Sequence, residues 1–198
     1  MTRESVIDFF SEHFEDALQL LENFPNTFFD NPVGKLATIY ADNWQYNNQY
    51  CLIGDAAHAV VPFFGQGMNA SFEDCEILMQ CLDESQGNWK DVFKKYSFIR
   101  KADCDAIAQM ALENYIEMRD LVTQKEFLQQ KEISNLLSEH FPDRFIPRYN
   151  MVSFTSMPYS EVYRRGDIQK EIVSKLNLDN LDMTIAESMI NNKLSSLM

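Results

Sequence analysis

Apolar residues recur at helical spacing through most of this chain, and between 35 and 53 that period gives way to strand-like runs. At the start, Val6, Phe9, Phe10, Phe14 and Leu18 fall on one side of a helix predicted over 4–21. Pro25, Asn26, Asp30, Asn31, Pro32 and Gly34 then supply the turn chemistry of a loop. Lys35–Ala41 and Gln49–Ile53 read as strands, linked through Asp42–Asn48 by a turn with a short strand at Trp44–Tyr46. After Gly65 the helical period takes over. One helix covers Gln66–Leu82, and a long one, N-capped by Asn88 with Asp91 in its first turn, ends near Val122. Gln124–His140 is a third. Phe141–Ser156 reads as a loop broken by Pro142 and Pro147. Pro158 suits the first turn of a helix running to about Leu176, and a last helix lies near Asp179–Lys193. The expectation is a mainly α segment: a short piece of β-sheet in 1–87, then a helical C-terminal region in 88–198.

Composition narrows the classes. The chain is 45% hydrophobic and 24% charged, as globular proteins are. A net charge of −13 argues against nucleic acid or an anionic membrane as a partner. Residues 1–25 carry charges throughout, unlike a secretory signal, and no stretch reaches the ~18 apolar residues of a membrane span. Cys51, Cys75, Cys81 and Cys104 show no C-x-x-C spacing and read as buried thiols in a reducing cytosol. His13, His58 and His140 are too scattered for a zinc site.

The chemistry concentrates in Cys51–Cys75, CLIGDAAHAVVPFFGQGMNASFEDC. An apolar strand is expected to end at Gly54-Asp55, where Gly54 permits close approach of a ligand or backbone. Asp55 then stands just past the strand's carboxyl end, with a carboxylate able to accept bonds from ligand hydroxyls. Pro62 stiffens the following loop, and Gly65-Gln66-Gly67 opens a helix whose free N–H groups and dipole suit an anion. Each feature alone is more often a turn or a cap. His58 within the loop reads as a packing residue that positions it, with general acid–base work the lesser alternative.

Together, Gly54-Asp55-Ala56-Ala57-His58, Pro62 and Gly65-Gln66-Gly67-Met68-Asn69 resemble the second flavin motif of the FAD-dependent aromatic hydroxylases. The resemblance implies an α/β family fold, of which this segment is the mainly α part. It implies that Asp55 holds the ribityl chain of FAD and that Pro62 and Phe63 lie beside the isoalloxazine ring. It also implies that the helix opening at Gly65, Gly67, Met68 and Asn69 aims its N–H groups at the pyrimidine end, with Met68 and Asn69 contributing backbone contacts. Negative charge at such a helix end is stabilised by up to ~2 kcal/mol.

Two further segments, Leu112–Arg119 (LENYIEMR) and Phe145–Phe154 (FIPRYNMVSF), resemble the kynurenine 3-monooxygenase family, a likeness running from about Val6 to Arg165. Helical spacing places Asn114 on an apolar stripe with Ile107, Met110, Met118 and Leu121. From the residues alone, Asn114 is a core amide tying its helix to a nearby loop, and Tyr149 an amphipathic interface tyrosine. The resemblance implies instead that Asn114 and Tyr149 touch the amino-acid group of L-kynurenine. By the same resemblance Glu117 and Met118 line that pocket, and Phe63 meets the aromatic part. The implied reaction uses NADPH as reductant and dioxygen (O2), through a flavin hydroperoxide, and requires that water be kept out.

The chain departs from the family in two places. Its six glycines, at 34, 54, 65, 67, 87 and 166, form no G-x-G-x-x-G, so the half of the FAD site that receives the pyrophosphate is expected upstream, with the residues that grip the substrate carboxylate. The segment alone is therefore expected to be inactive, with exposed sheet edges that favour a homo-oligomer. Secondly, Arg164–Met198 is polar throughout, where mitochondrial members carry an apolar anchor; this favours a soluble, cytoplasmic, bacterial-type member. Two other readings stay open: a segment of a hydroxylase for a different aromatic acid, and a non-catalytic helical interaction module.

Overall fold

The computed structural model of the chain describes residues 1–197 and divides into two compact units, Met1–Leu36 and Ala37–Met198. In the first, α1 (Arg3–His13) opens with a reciprocal cap. Thr2 Oγ1 accepts the Ser5 N–H at 3.2 Å, and Ser5 Oγ accepts the Thr2 N–H at 3.0 Å. The single helix expected over 4–21 is corrected: Phe14 leaves helical dihedrals (φ −144°, ψ 42°), and only the short α2 (Glu15–Leu18) and α3 (Asn26–Asp30) follow. The break lets the chain double back, so that the Phe24 and Phe28 rings reach Phe10 at 4.8 and 6.1 Å between centroids.

The second unit begins with extended chain. The strand expected at Lys35–Ala41 does not form, because among the described residues no neighbouring strand offers it a ladder; one backbone bond, Ile39 N–H to the Ala59 carbonyl at 2.8 Å, holds it. The strand expected at Gln49–Ile53 shrinks to β2 (Tyr50–Cys51), which pairs antiparallel with β1 (Gln45–Tyr46) in the register Gln45↔Cys51, Tyr46↔Tyr50. Three residues, Asn47–Gln49, connect the strands: Asn47 and Asn48 take positive φ (50° and 57°), and the Gln49 N–H returns to the Tyr46 carbonyl at 3.0 Å. Trp44 is buried beside the hairpin and donates from Nε1 to the Ala41 carbonyl at 3.0 Å.

Helices form the rest. After α4 (Asp55–His58) and a 3₁₀ turn at Pro62–Phe64 come α5 (Gly67–Glu84) and α6 (Trp89–Ile116), with Asn88 capping the Lys90 N–H. The long helix expected to reach Val122 widens into a π turn at Glu117–Leu121 before α7 (Lys125–His140). The loop expected over Phe141–Ser156 holds a helix, α8 (Arg148–Phe154), because Pro147 ends the extended segment and starts a new turn that buries Met151 and Val152. Then follow α9 (Tyr159–Ser174) and α10 (Met183–Lys193). One core joins Ala70, Ile107, Met110, Met151 and Val162 across α5, α6, α8 and α9; another joins Ile133, Leu137, Phe145, Ile172 and Ile190. All four thiols are free; Cys81 and Cys104 are buried, but Cys75 is exposed and Cys51 half-buried, against the expectation of four buried thiols.

The segment after α10 is clasped by arginines. Arg165, fully buried, donates to the Ser195 carbonyl (3.0 Å), to Ser195 Oγ (3.2 Å) and to the Arg144 carbonyl (2.8 Å). Arg144 donates to the Leu194 carbonyl at 2.8 Å. Truncation after Lys193 removes most acceptors of a buried guanidinium, and is expected to cost at least about 3 kcal/mol. Chemical denaturation measures it; an unchanged stability would contradict this account of the clasp.

Candidate functional site

The motif Gly54–Asn69 is held together by one buried carboxylate on α5. Asp74 is fully buried, and its Oδ2 accepts the Gly54 N–H at 2.9 Å and a hydrogen bond from His58 Nε2 at 2.6 Å. Its Oδ1 accepts from Arg100 Nε on α6 at 2.8 Å, and Arg100 also reaches the Ala70 carbonyl at 3.2 Å and Glu73 at 2.9 Å. Burial alone would raise the Asp74 pKa, but the bonds from His58, Arg100 and Gly54 outweigh it and hold the carboxyl below its usual value of 3.8. His58 is buried and stacked on Trp44 at 5.2 Å, so it positions the loop.

His58, Asp74 and Cys104 bring three metal-type ligand atoms within 4.8 Å of one another. The cation among them is Arg100, whose Nη2 stands 3.5 Å from Cys104 Sγ, and burial pushes the Cys104 thiol up. The cluster is an ion-paired core.

Gly54 takes φ 60°, ψ −144°, a conformation open essentially to glycine, and an added Cβ would press on Ser71 Oγ at 3.3 Å. This sharp turn presents Asp55 at the start of α4, exposed, with no partner for its carboxylate among the described residues. Pro62 starts the turn that ends at Gly65, itself left-handed at φ 66°. Gln66 closes the first helical bond with the Ala70 N–H at 2.9 Å, leaving the N–H groups of Gly67, Met68 and Asn69 without acceptors among the described residues. Gln66 Oε1 is itself fixed by Asn69 Nδ2 (2.9 Å) and the Tyr159 hydroxyl (3.0 Å).

A cavity of about 520 Å³ opens beside this motif, between α6, α7, α8 and α9. Asn114, Glu117 and Tyr149 line it, together with Phe64, Met110, Phe127, Phe145 and several polar groups. Asn114 donates from Nδ2 to the Phe63 carbonyl at 2.6 Å, so it does tie its helix to a loop, and that loop belongs to the Gly54–Asn69 motif. Phe63 itself packs on Tyr115 at 4.6 Å, and Phe64 is the ring that faces the cavity. Met118 does not line it. The π turn breaks the 3.6-residue stripe there, so Met118 is 56% exposed, with Sδ 3.8 Å from Asn114 Nδ2. Tyr149 sits on α8, stacked near Phe64 at 6.1 Å.

Sequence reasoning missed Asp74 and Arg100, and missed Glu113, Arg148, Lys170 and Gln169 of the cavity wall. Glu113 accepts from Arg148 at 2.5 Å and Lys170 at 2.6 Å; burial raises its pKa, but these cations prevail and bring it down to about 2. One signal was available. Gly166 lies inside a helix, where glycine costs about 1 kcal/mol and usually marks a close approach.

Comparison with known proteins identifies the surroundings. Residues 22–111 match the family model described as FAD binding domain. The chain is 39% identical over 197 residues to a kynurenine 3-monooxygenase of Flavobacterium johnsoniae, covering 99% of this chain and 44% of that protein. This chain resembles the C-terminal part of the kynurenine 3-monooxygenases. Those of Dictyostelium discoideum (37% identical, 98% of this chain, 46% of the relative) and Myxococcus xanthus (40%, 96% and 42%) agree. The chain thus spans less than half the length of these relatives. The matched family model is one for FAD binding, and the residues present fit that cofactor: a glycine-only turn at Gly54, three free amide donors and an unpartnered carboxylate.

Removing the Asp74 charge deprives the buried Arg100 guanidinium of its fully buried counter-ion and leaves it Glu73, which is partly exposed. Asp74→Asn is expected to cost about 3–5 kcal/mol in denaturant unfolding. Because its folded pKa is depressed, the stability it contributes is present above the ordinary value of 3.8 and lost as pH falls through the lower folded value. A variant with the parent's stability and acid profile would refute this role.

Proposed function

We propose that this chain is the C-terminal portion of a FAD-dependent monooxygenase that converts L-kynurenine to 3-hydroxykynurenine with NADPH and dioxygen, as a soluble cytoplasmic enzyme. The observation that carries the reading is the bond from Asn114 to the Phe63 carbonyl, which joins the cavity wall to the flavin motif in one rigid piece. FAD, when bound, supplies the oxygen-transfer chemistry.

The chain's own residues bind, orient and exclude water. Asp55 accepts hydroxyl donors of the ribityl chain, and the free N–H groups of Gly67, Met68 and Asn69 favour negative charge at the flavin's pyrimidine edge. Pro62 shapes the turn against which the ring would lie. Asn114 and Tyr149 face the amino-acid group, Glu117 lines the same wall, and Phe64 supplies apolar surface there, while Phe63 packs behind it on Tyr115 and Met118 stays outside the cavity. The wall mixes charges of both signs with amides, including the Lys131–Glu117 pair at 3.2 Å, which suits a zwitterion better than a simple aromatic acid. No helix among the described residues is long and apolar enough to cross a membrane.

In the complete flavoprotein, Asn114→Ala and Tyr149→Phe are expected to raise KM for L-kynurenine by about tenfold or more, as loss of a bond to a charged group requires, and to disturb FAD binding less than that. Unchanged KM in both variants sinks the substrate reading. The isolated 198-residue chain, which holds no G-x-G-x-x-G, is expected to purify colourless and inactive. Stoichiometric flavin in its absorbance spectrum would overturn that expectation.

A further inference from the structure

We propose that Glu113 and Arg148 form a positioning pair that fixes Asn114 and Tyr149 relative to each other across the cavity. This rests on the substrate reading given above. Glu113 immediately precedes Asn114 on α6, and Arg148 immediately precedes Tyr149 on α8. Their 2.5 Å ion pair therefore bridges the two helices at the residues next to the substrate contacts. Both side chains are largely shielded, at 21% and 13% exposure, so the pair is far less screened than a surface one.

The neighbourhood is built around that guanidinium. Arg148 Nη2 donates to Asp167 at 3.0 Å, and its plane lies over the Tyr163 ring at 5.4 Å. Tyr163 donates its hydroxyl to Glu113 at 3.2 Å, and Lys170 adds a second cation at 2.6 Å. Gly166 has no side chain where Arg148 crosses α9: an added Cβ would collide with Nε and stand 2.7 Å from Nη2 and 2.9 Å from Cζ. A guanidinium fork, which a lysine cannot imitate, thus locks α6, α8 and α9 together. At its other end Asn114 is fixed to the Phe63 carbonyl. Within the cavity wall the polar atoms of the pair are engaged by each other and by α9, so they act by setting geometry. A small displacement of a positioned group is enough to cost much of its effect.

The test uses the complete flavoprotein with Glu113→Gln, Arg148→Gln, Arg148→Lys and Gly166→Ala, and the double variant Glu113→Gln/Arg148→Gln. The measurements are KM and kcat for L-kynurenine, FAD content from absorbance, and the melting temperature. The expected result is KM raised by roughly tenfold in each single variant, kcat and FAD content nearly unchanged, and a double variant no worse than the single ones, because coupled residues are not additive. Glu113→Asp should recover part of the loss. A role in stability alone would lower the melting temperature and leave KM as it was, which overturns the proposal. If Asn114→Ala and Tyr149→Phe raise KM but Glu113→Gln and Gly166→Ala do not, the positioning pair is refuted and the substrate reading stands. If Asn114→Ala and Tyr149→Phe are also without effect, both fail. Should Glu113→Gln not fold, Gly166→Ala decides, since it displaces the guanidinium and keeps both charges. Failure of both to accumulate as flavoprotein counts against the proposal, because a pair that acts on positioning leaves the fold standing.

Discussion

A carboxylate withdrawn wholly from water must be paired on every side, and Asp74 is. Its two oxygens take a backbone N–H from Gly54, an imidazole from His58 and a guanidinium from Arg100. Those partners come from the loop before α4, from α4 itself and from α6, while Asp74 sits on α5. One desolvated charge thus fixes the sharp glycine turn that displays Asp55 and the helix end that carries three free amides. The energetic asymmetry of buried ions explains the rigidity. The intact set gains little over an apolar core, but any incomplete version leaves an unpaired charge in a dry site.

From this anchor the long helix α6 carries the geometry outward. Arg100 meets Asp74 near its middle; Asn114, near its C-terminal end, meets the Pro62–Phe64 turn at the Phe63 carbonyl. Two fastenings on one rigid rod keep the Pro62–Phe64 turn in a fixed place beside the cavity. The π turn that follows widens the helix where Glu117 and Lys131 pair, and turns Met118 away from the stripe that strict helical spacing would give it. The cavity wall is therefore polar and charged where α6, α8 and α9 meet, and apolar toward Phe64, Met110 and Phe145.

The likeness to kynurenine 3-monooxygenases extends over nearly the whole chain, whereas the chain covers less than half of those relatives. The FAD-binding match ends at residue 111, just before Glu113 and Asn114. The residues that we assign to substrate positioning thus lie beyond the part of the chain matched by that general flavin domain. This is the arrangement expected when a shared cofactor scaffold is given its specificity by an added helical region.

How far the sequence reached follows from the range of the interactions involved. Helices α5, α6, α7, α9 and α10 were legible because each buries an apolar face at 3.6-residue spacing, a local property. The Gly54–Asn69 motif was legible because its turn and its helix opening are also local, and its dense wording carried the resemblance to flavin hydroxylases. The strand at Lys35–Ala41 was misread, since a strand exists only if a neighbour pairs with it, and no spacing reveals the neighbour. Pro142 and Pro147 make the stretch that holds Arg148–Phe154 read as loop, though Pro147 in fact begins that helix. Tertiary structure alone decided the rest. Asp74 meets Arg100 across 26 residues, Glu113 meets Arg148 across 35, and Asn114 meets Phe63 across 51. Such pairings are set by how helices pack and by the cost of burying charge, and neither is written in any short stretch of chain.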